Sequence, residues 1–392
     1  MRFPEFTGEW MKCKFGEIAT GFDYGMNAAA KPYDGQNKYI RITDIDEVSS
    51  TYNNSSIVSP DGILSENYVV NEGDILLART GASTGKSYLY RKSDGKLYYA
   101  GFLIRANVAE HNPYFVFSQL HTHRYWRWVS IMSARSGQPG INSLEYASFP
   151  IFTTTLKEEN KISSLLSLID KRIATQNKII EKLQSLIKGL NDSLYKQYGN
   201  AITTSFSDLG HSYSGLSGKS SEDFGSGKPF ITYLNVYSNS VVNENEYQYV
   251  RINDGEKQNI VQCGDVLFTL SSETPEEVGV GSVYLGIDEV FLNSFCFGFH
   301  IDNKELAYPP YFSYYVSSTP FRKFIYPFAQ GSTRFNLCKA DFEKASIKLP
   351  SLNNQKHIYA ILNSIKGKIE TEKNLLEYYT TQKQYLLRQM FI

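Results

Sequence analysis

Two stretches of the chain carry apolar residues at alternating spacings of four and three, the pattern of a helix that packs along one side. The first runs from Ile162 to Leu194, and the second runs from Ile358 to Met390, 196 residues further on. We predict a helix of about 35 residues in each place, roughly 50 Å long at about 1.5 Å per residue. The seam residues expected to pack are Leu166, Ile169, Ile173, Ile180, Leu183, Ile187, Leu362, Ile365, Ile369 and Leu376.

Three packing arrangements are possible for these two helices. They could pair with each other as an antiparallel coiled coil that holds two globular regions apart. Each could instead be a long core helix of its own domain, or the seam could join two copies of the chain. Both seams carry a polar residue at the same place, Gln176 and Glu372, which favours the first arrangement.

The regions ahead of the helices repeat the same order of features at an offset of about 191 to 197 residues. Alternating, β-branched segments at 39–45 and 230–236 predict strands. Gly-Asp pairs at 73–74 and 264–265 each introduce a short apolar strand. Proline-containing helix starts, Gly/Ser-rich loops at 136–140 and 331–334 and a further short strand follow in both halves.

This order predicts an α+β protein that consists of two mixed α/β domains in tandem, each followed by a long helix. The predicted boundaries are 1–158 for the first domain, 159–200 for its helix, 201–353 for the second domain and 354–392 for the last helix. A chain of 392 residues can bury a core in each domain. No disulfide or metal is therefore needed for stability.

Cysteine and hydropathy patterns indicate the compartment. The four cysteines form no C-x-x-C pair, and the six histidines do not stand at zinc-ligand spacing beside them. The N-terminus lacks a basic-then-apolar signal, and no apolar run approaches the roughly 18 residues of a membrane span. We therefore expect a cytoplasmic protein with reduced thiols, no metal and no contact with membranes.

Forty basic and forty acidic residues give a formal net charge of zero, so any DNA-binding surface requires charges that are segregated in space. Basic side chains cluster next to aromatic segments and to the Gly/Ser-rich loops. Arginine can bond guanine or hold phosphate, although each such residue could equally be a solvated surface group. The candidates for DNA contact are Arg79, Lys86, Arg124, Arg127, Arg135, Arg322, Lys323 and Arg334.

Three segments resemble catalytic or ligand sites and depart from them. The loop at 79–87 resembles a phosphate-binding loop but has Thr80 where that pattern requires glycine. The segment 308–311, Tyr-Pro-Pro-Tyr, lacks the asparagine of the N-P-P-Y motif of amino-methyltransferases, and a helix cap explains it better. His121 and His123 have no third metal ligand nearby. We predict no catalytic residues.

Taken together, these motifs resemble the specificity subunit of type I restriction-modification systems over nearly the whole chain. The Gly-Asp strand at 73–76 precedes the family's R-x-G-A-S-x-G-K loop at 79–86, and the run to the helix is similar at 141–162 and 335–358. In the first half Asn160 follows two glutamates where the family favours Glu-Gln. The second half keeps Gln355 after two asparagines and lacks the Gly-Ala-Ser loop.

The resemblance implies two target-recognition domains, each reading one half of an interrupted site in double-stranded DNA. The paired helices would act as a ruler and as the docking surface for DNA methyltransferase (modification) subunits, with a restriction and translocase subunit as a further partner that the sequence leaves open. S-adenosylmethionine, ATP and Mg²⁺ would belong to the partners, so no cofactor is expected here. The alternatives are a coiled-coil scaffolding adaptor without DNA specificity and a fused methyltransferase.

Overall fold

A computed structural model describes residues 2–134 and 137–391. Its contacts divide the chain into two compact units. Unit 1 comprises Met1–Lys178 and Asn374–Ile392, and unit 2 comprises Ile179–Lys373. This division assigns part of each long helix to each unit, whereas the predicted boundaries treat each helix as a segment of its own. Those domain boundaries stay a prediction.

Among its described residues, unit 1 contains ten short strands, the start of one long helix and the end of the other. The strands are β1 (Met11–Lys14), β2 (Thr20–Tyr24), β3 (Ala29–Pro32), β4 (Lys38–Ile40), β5 (Val58–Asp61), β6 (Asp74–Ala78), β7 (Ser87–Leu89), β8 (Leu97–Tyr99), β9 (Leu103–Asn107) and β10 (Pro150–Thr153). The helices are α1 (Phe15–Ile18), α2 (Pro113–Gln119), α3 (His123–Met132), α4 (Ser143–Ala147) and α5 (Leu156–Tyr198), with 3-10 turns at Ile42–Asp44, Glu66–Tyr68, Gly81–Ser83 and Lys92–Asp94.

The central sheet of unit 1 is antiparallel and has the strand order β2-β9-β6-β7. Every residue of β6 is buried, as the sequence after the Gly-Asp pair predicted. Asp74 begins this strand and accepts a hydrogen bond from the backbone N–H of Asn71 at 2.7 Å, which closes the preceding turn. Ile75, Leu77 and Ile104 then pack with residues of α2, α3 and α5 in one apolar core.

Unit 2 contains the same kinds of elements as unit 1, with more strands among its described residues. The strands are β11 (Ile202–Ser205), β12 (Gly210–Ser214), β13 (Phe224–Ile231), β14 (Gln248–Val250), β15 (Val266–Thr269), β16 (Ser271–Ser272), β17 (Gly281–Val283), β18 (Phe291–Leu292), β19 (Cys296–Ile301), β20 (Ala329–Gly331), β21 (Phe335–Leu337) and β22 (Ser346–Leu349). The helices are α6 (Phe206–Leu209), α7 (Tyr233–Ser238), α8 (Phe312–Tyr315), α9 (Thr319–Ile325), α10 (Lys339–Lys344) and α11 (Leu352–Met390), with 3-10 turns at Ser221–Asp223, Glu244–Glu246, Pro275–Glu277, Pro309–Tyr311 and Tyr326–Phe328.

The central sheet of unit 2 has the order β12-β19-β15-β17, which is the same antiparallel arrangement as in unit 1. Asp265 occupies the place of Asp74 and accepts from the backbone N–H of Gln262 at 2.8 Å. Its other oxygen accepts from His300 at 2.6 Å, where Asn107 donates to Asp74 in unit 1. The tandem repeat predicted from the sequence is therefore present in the fold.

The strands predicted at 39–45 and 230–236 are only half right. Each strand stops early, at Ile40 in β4 and at Ile231 in β13. In unit 1 the backbone N–H of Arg41 donates to the carboxylate of Asp44 at 2.9 Å, which closes a 3-10 turn. In unit 2 Thr232 caps α7 and accepts from the Asn235 N–H at 3.1 Å. These local side-chain caps prevail over the alternating pattern because they satisfy backbone donors that a helix start leaves free.

The two long helices run antiparallel where they meet within each unit. In unit 1 Lys383 of α11 forms an ion pair with Asp170 of α5 at 2.7 Å, and the Arg172 guanidinium lies 5.8 Å from the ring centre of Tyr379. In unit 2 Ile187 and other residues near the end of α5 pack on the core that holds the beginning of α11. Every predicted seam residue is buried or half-buried. The coiled-coil prediction is confirmed.

A buried polar side chain connects each long helix to its domain. In unit 1 the Glu159 carboxylate accepts from the backbone N–H of Asn112 at 2.9 Å. In unit 2 the Gln355 amide oxygen accepts from the N–H of Tyr308 at 2.8 Å. Glu159 and Gln355 are 196 residues apart, and so are their partners Asn112 and Tyr308. The structural equivalent of Gln355 is therefore Glu159 rather than Asn160. In each unit this hydrogen bond joins the residue that precedes a short helical segment to the first turns of a long helix.

Candidate nucleic-acid interface

Three segments of unit 1 meet where β6 ends. The backbone N–H of Arg79 donates to the carbonyl of Phe102 at 3.1 Å, and the Arg79 carbonyl accepts from the N–H of Ile141 at 3.0 Å. The N–H of Gly81 also donates to the Pro139 carbonyl at 2.9 Å. The loop after β6, the turn before β9 and the Gly/Ser-rich loop thus form one surface at the end of the central sheet.

Unit 2 builds the same main-chain junction with different side chains. The N–H of Leu270 donates to the Phe295 carbonyl at 2.8 Å, and the Leu270 carbonyl accepts from the N–H of Leu337 at 2.9 Å. Leu270 therefore stands where unit 1 has Arg79. The basic side chain of this junction comes instead from Arg334, on the loop between β20 and β21. We refer to the two junctions as the sheet-end surfaces.

The loop that resembles a phosphate-binding loop uses its backbone donors internally. The N–H groups of Thr84, Gly85 and Lys86 donate to carbonyls of Gly81, Ala78 and Ser83 at 3.0 to 3.1 Å. A phosphate loop needs such donors to point at the ligand. The backbone donors of this loop are therefore not arranged as in a phosphate-binding loop.

One glycine of this loop is required for packing. Gly85 has a φ of +93°, and a Cβ there would come within 2.8 Å of a methyl group of Val129 in α3. Gly279 is its counterpart in unit 2, with a φ of +67° and a Cβ position 2.3 Å from the Ile325 side chain of α9. Although the Gly-Ala-Ser sequence is lost in the second half, the close approach of loop and helix is kept.

Three predicted basic residues lie at the sheet-end surfaces. The Arg79 guanidinium stacks on the ring of Tyr24, 4.7 Å from its centre. The ammonium of Lys86 forms an ion pair with Glu47. Arg334 is exposed, donates from Nε to the hydroxyl of Ser271 at 2.8 Å and lies 5.1 Å from the ring centre of Phe295. Arg135 falls outside the described residues.

Two further candidates are exposed at equivalent helix positions. Arg127 in α3 and Lys323 in α9 are 196 residues apart, and both side chains face solvent. Lys323 shares a surface cleft with Lys188 of α5 and with Thr319 and Tyr326. Two lysines therefore line this cleft, next to Asp192, whose carboxylate accepts from the backbone N–H of Thr319 at 2.9 Å.

The remaining two candidates use their guanidinium groups inside their own domains. Arg322 donates to the carbonyls of Gly279, Glu276 and Val278 at 2.6 to 3.0 Å, which joins α9 to the loop between β16 and β17. Arg124 stacks on Phe152, 4.5 Å from the ring centre. Burial lowers the pKa of both side chains. Their role in DNA contact stays a prediction, but their structural contacts are clear.

The histidine and proline-containing segments that resemble ligand or catalytic sites in the sequence have structural roles. His121 is held between the Phe117 carbonyl and the Ser50 hydroxyl, each at 3.0 Å, and burial lowers its pKa to about 4. Asn112 caps α2 by accepting from the backbone N–H groups of residues 114 and 115. Tyr308 precedes a 3-10 turn without a side-chain cap, so the helix-cap interpretation holds for the asparagine alone. Across residues 2–134 and 137–391, no cluster of three potential ligands could hold a metal ion.

Sequence reasoning missed two features of the sheet-end surfaces. Glycines at the equivalent positions 85 and 279 set the distance between loop and helix, and phenylalanines at 102 and 295 stand at equivalent turns. The available signal was the offset of 193 to 194 residues between members of each pair, which lies within the offset of the repeat. Gly85 belongs to the R-x-G-A-S-x-G-K loop, but Gly279 lies in no such motif, and neither phenylalanine belongs to a basic or catalytic motif.

The fold and these surfaces define a tandem-repeat protein in which the loops at the end of the central sheet carry different side chains in the two units. A family model described as the type I restriction modification DNA specificity domain matches residues 8–185 and again residues 205–378. These matches include most of the sequence, so the chain belongs to this family and contains its domain twice. The resemblance inferred from the sequence motifs is confirmed.

Solved structures share the whole architecture at low identity. The S subunit of a type I restriction-modification system from M. genitalium is 15% identical, with a TM-score of 0.58 over 98% of this chain and 96% of that one. A chain from a structure titled for complex assembly and conformational transition of the type I R-M system is 16% identical, with a TM-score of 0.59 over 96% of both chains. These likenesses show a common fold. In the part of the chain that the structure describes, no helix has the length and apolar character needed to cross a membrane.

Proposed function

We propose that this chain is the DNA-recognition subunit of a type I restriction-modification complex and that each domain reads one half of an interrupted double-stranded site. The supporting observation is that both sheet-end surfaces share one main-chain junction but carry different side chains, Arg79 in one and Leu270 in the other. A shared frame with different contact residues is suited to reading two different half-sites. The target would then be split and asymmetric.

Local charge supports DNA as the ligand despite the zero net charge. Arg79 and Arg334 lie at the sheet-end surfaces, and Arg127 and Lys323 are exposed on the following helices. Phosphate contacts need only local positive potential, and base contacts then supply the sequence information. Two joined readers also gain affinity from effective concentration, so each half-site contact can be weak on its own.

The long helices supply a surface for protein partners. Their outer faces expose large apolar side chains, namely Leu168, Ile179 and Leu186 on α5 and Tyr378 and Tyr385 on α11. Exposed apolar groups on an otherwise polar surface favour a protein contact. We assign these faces to the modification subunits, with a restriction and translocase subunit as a further partner.

In this proposal the chain does no chemistry itself, and S-adenosylmethionine, ATP and Mg²⁺ are used by its partners. Calorimetric titration of S-adenosylmethionine into the purified chain should show no binding. Saturable binding by the chain alone would instead favour a fused methyltransferase.

Co-purification with the products of neighbouring genes, followed by methylome sequencing with and without the chain, tests the recognition role. We expect adenine methylation at one split motif to disappear when the chain is absent. A methylome that does not change, together with no DNA binding at low salt, would favour the scaffolding adaptor.

Substitutions at two adjacent residues of α9 should have different effects, one on DNA affinity and the other on the stability of unit 2. Lys323→Ala should lower DNA affinity and reduce the slope of log affinity against log salt by about 1, because it removes one phosphate contact. Arg322→Ala should instead destabilise unit 2 by about 2–3 kcal/mol, because three backbone carbonyls lose a charged donor. Thermal unfolding and salt-dependent DNA titration measure the two effects. A loss of stability in Lys323→Ala with a normal salt slope would contradict this assignment.

A further inference from the structure

A phenylalanine is exposed at the same turn in both domains. The side chain of Phe102 is 60% exposed and that of Phe295 is 49% exposed. Each is the third residue of a four-residue turn that the N–H of its fourth residue closes, Leu103 to Ala100 at 2.9 Å and Cys296 to Asn293 at 3.0 Å. The two turns precede equivalent strands, β9 and β19.

Both turns are held firmly by their neighbours. The N–H of Gly25 donates to the Leu103 carbonyl at 3.1 Å, and the N–H of Gly215 donates to the Cys296 carbonyl at 3.3 Å. A Cβ on either glycine would lie within 2.3 Å of the carbonyl oxygen that begins the turn, so only glycine allows this approach. The phenylalanines are therefore exposed on a fixed frame rather than on a loose loop.

Each phenylalanine shares its sheet-end surface with an arginine. The Phe102 carbonyl accepts from the N–H of Arg79, and the guanidinium of Arg79 stacks on Tyr24. In unit 2 the guanidinium of Arg334 lies over the ring of Phe295 itself. A surface that carries both exposed aromatic rings and a cation is suited to a ligand that has flat apolar surfaces and negative charges.

Exposure of a large apolar side chain to water is unfavourable, and a bound ligand would remove that exposure. Turns are usually formed by small or polar residues such as Gly, Asn, Asp and Ser. A large apolar side chain placed in water at the same turn of both domains gains little for the fold itself. A ligand that packs on the ring would supply the apolar contacts that the folded domain does not provide.

We propose that the rings of Phe102 and Phe295 contact the bases of bound DNA, one in each half-site. The inference rests on the proposed function. Each ring would pack against base edges in a groove or enter between base steps, while the nearby arginine holds phosphate or guanine. DNA is favoured over a protein partner because each ring is exposed at a sheet-end surface that also carries an arginine, Arg79 in unit 1 and Arg334 in unit 2.

The test uses the full chain together with the subunits that co-purify with it, and a duplex that carries the split motif found by methylome sequencing. Phe102→Ala and Phe295→Ala should each weaken binding by roughly 5- to 100-fold, the range expected when one aromatic contact to a base is lost. The slope of log affinity against log salt should not change, because no charge is removed. Fluorescence anisotropy at several salt concentrations measures both quantities.

Two sets of controls isolate the effect. Ile63→Ala and Ile287→Ala remove apolar side chains that are 93% and 95% exposed elsewhere in the same units, and both should bind DNA like the unmodified chain. Phe102→Trp keeps a flat apolar ring and should retain most of the affinity. On a duplex whose first half-site is scrambled, Phe102→Ala should have no further effect.

The outcomes are distinguishable. Phe102→Ala and Phe295→Ala variants that bind within twofold of the unmodified chain would overturn this inference and leave the proposed function standing. Loss of a co-purifying subunit with unchanged DNA affinity would assign the rings to a protein contact and also overturn it. If the unmodified complex binds no DNA, the proposed function fails and this inference fails with it.

Discussion

Exchange of residues 15–149 for the equivalent segment of a relative that reads a different target should change one half of the methylated motif and leave the other half as it is. Methylation at the original motif should fall to background, and a new motif should appear that keeps the second half-site. The reason is that the exchanged segment contains a whole sheet-end surface together with the loops that form it. Methylome sequencing of cells that carry the chimaera measures the result.

The structure supplies the boundaries for this exchange. The backbone N–H of Phe15 donates to the Phe149 carbonyl at 2.8 Å, so the two cut points lie side by side. The strands β1 and β10 pair just outside them and stay native, from Met11 opposite Thr153 to Lys14 opposite Pro150. A cut after residue 155 would place β10 in the exchanged segment and replace one strand of this pair.

The donor sequence must keep the contacts that join the segment to the long helices. It should have an asparagine equivalent to Asn112, which contacts Glu159, and an aromatic residue equivalent to Phe115, whose ring packs 5.2 Å from that of Phe391. The matched control is exchange of residues 206–345, which should change only the other half. A chimaera of either kind that changed both half-sites would contradict independent reading by the two domains.

Removal of one heptad from both long helices should keep both half-sites and shorten the spacer between them. Deletion of residues 171–177 together with 375–381 removes about 10 Å of helix at about 1.5 Å per residue. This length corresponds to about three base pairs at roughly 3.4 Å each. The methylated motif should therefore lose about three base pairs of spacer.

The two deletions face each other in unit 1. The ion pair between Asp170 and Lys383 lies just outside them, and the contact of Arg172 with Tyr379 lies inside them. A seven-residue deletion preserves the phase of the four-three seam, so the remaining apolar residues still meet. Asp170 and Lys383 also keep their pairing because both helices are shortened by the same amount.

Deletion of residues 171–177 alone is the control, because it shortens one helix without its partner. This variant should lose methylation at any split motif, since the seam can no longer match in both units. A double deletion that methylates the original motif with its original spacer would show that the helices do not set the distance between the half-sites.

Some parts of the site could be read from the sequence, and others could not. The basic residues Arg79 and Arg334 were identified from their neighbouring loops, and both lie at the sheet-end surfaces. Arg322 had the same sequence signal, but its guanidinium is engaged by three backbone carbonyls of its own domain. Nothing in the local sequence distinguishes them, because the carbonyls that bind Arg322 lie more than 40 residues earlier.

The sequence by itself determined the long helices, the tandem repeat, the strand that follows each Gly-Asp pair and the family. These features depend on periodic burial of apolar side chains and on short motifs, and both act between residues that are close along the chain. The strands at 39–45 and 230–236 end at local caps, Asp44 and Thr232, which the alternating pattern concealed. Only the tertiary structure decided how Glu159 takes the place of Gln355 and which rings stay exposed. Those outcomes depend on hydrogen bonds and close approaches between distant segments, whose partners no local pattern records.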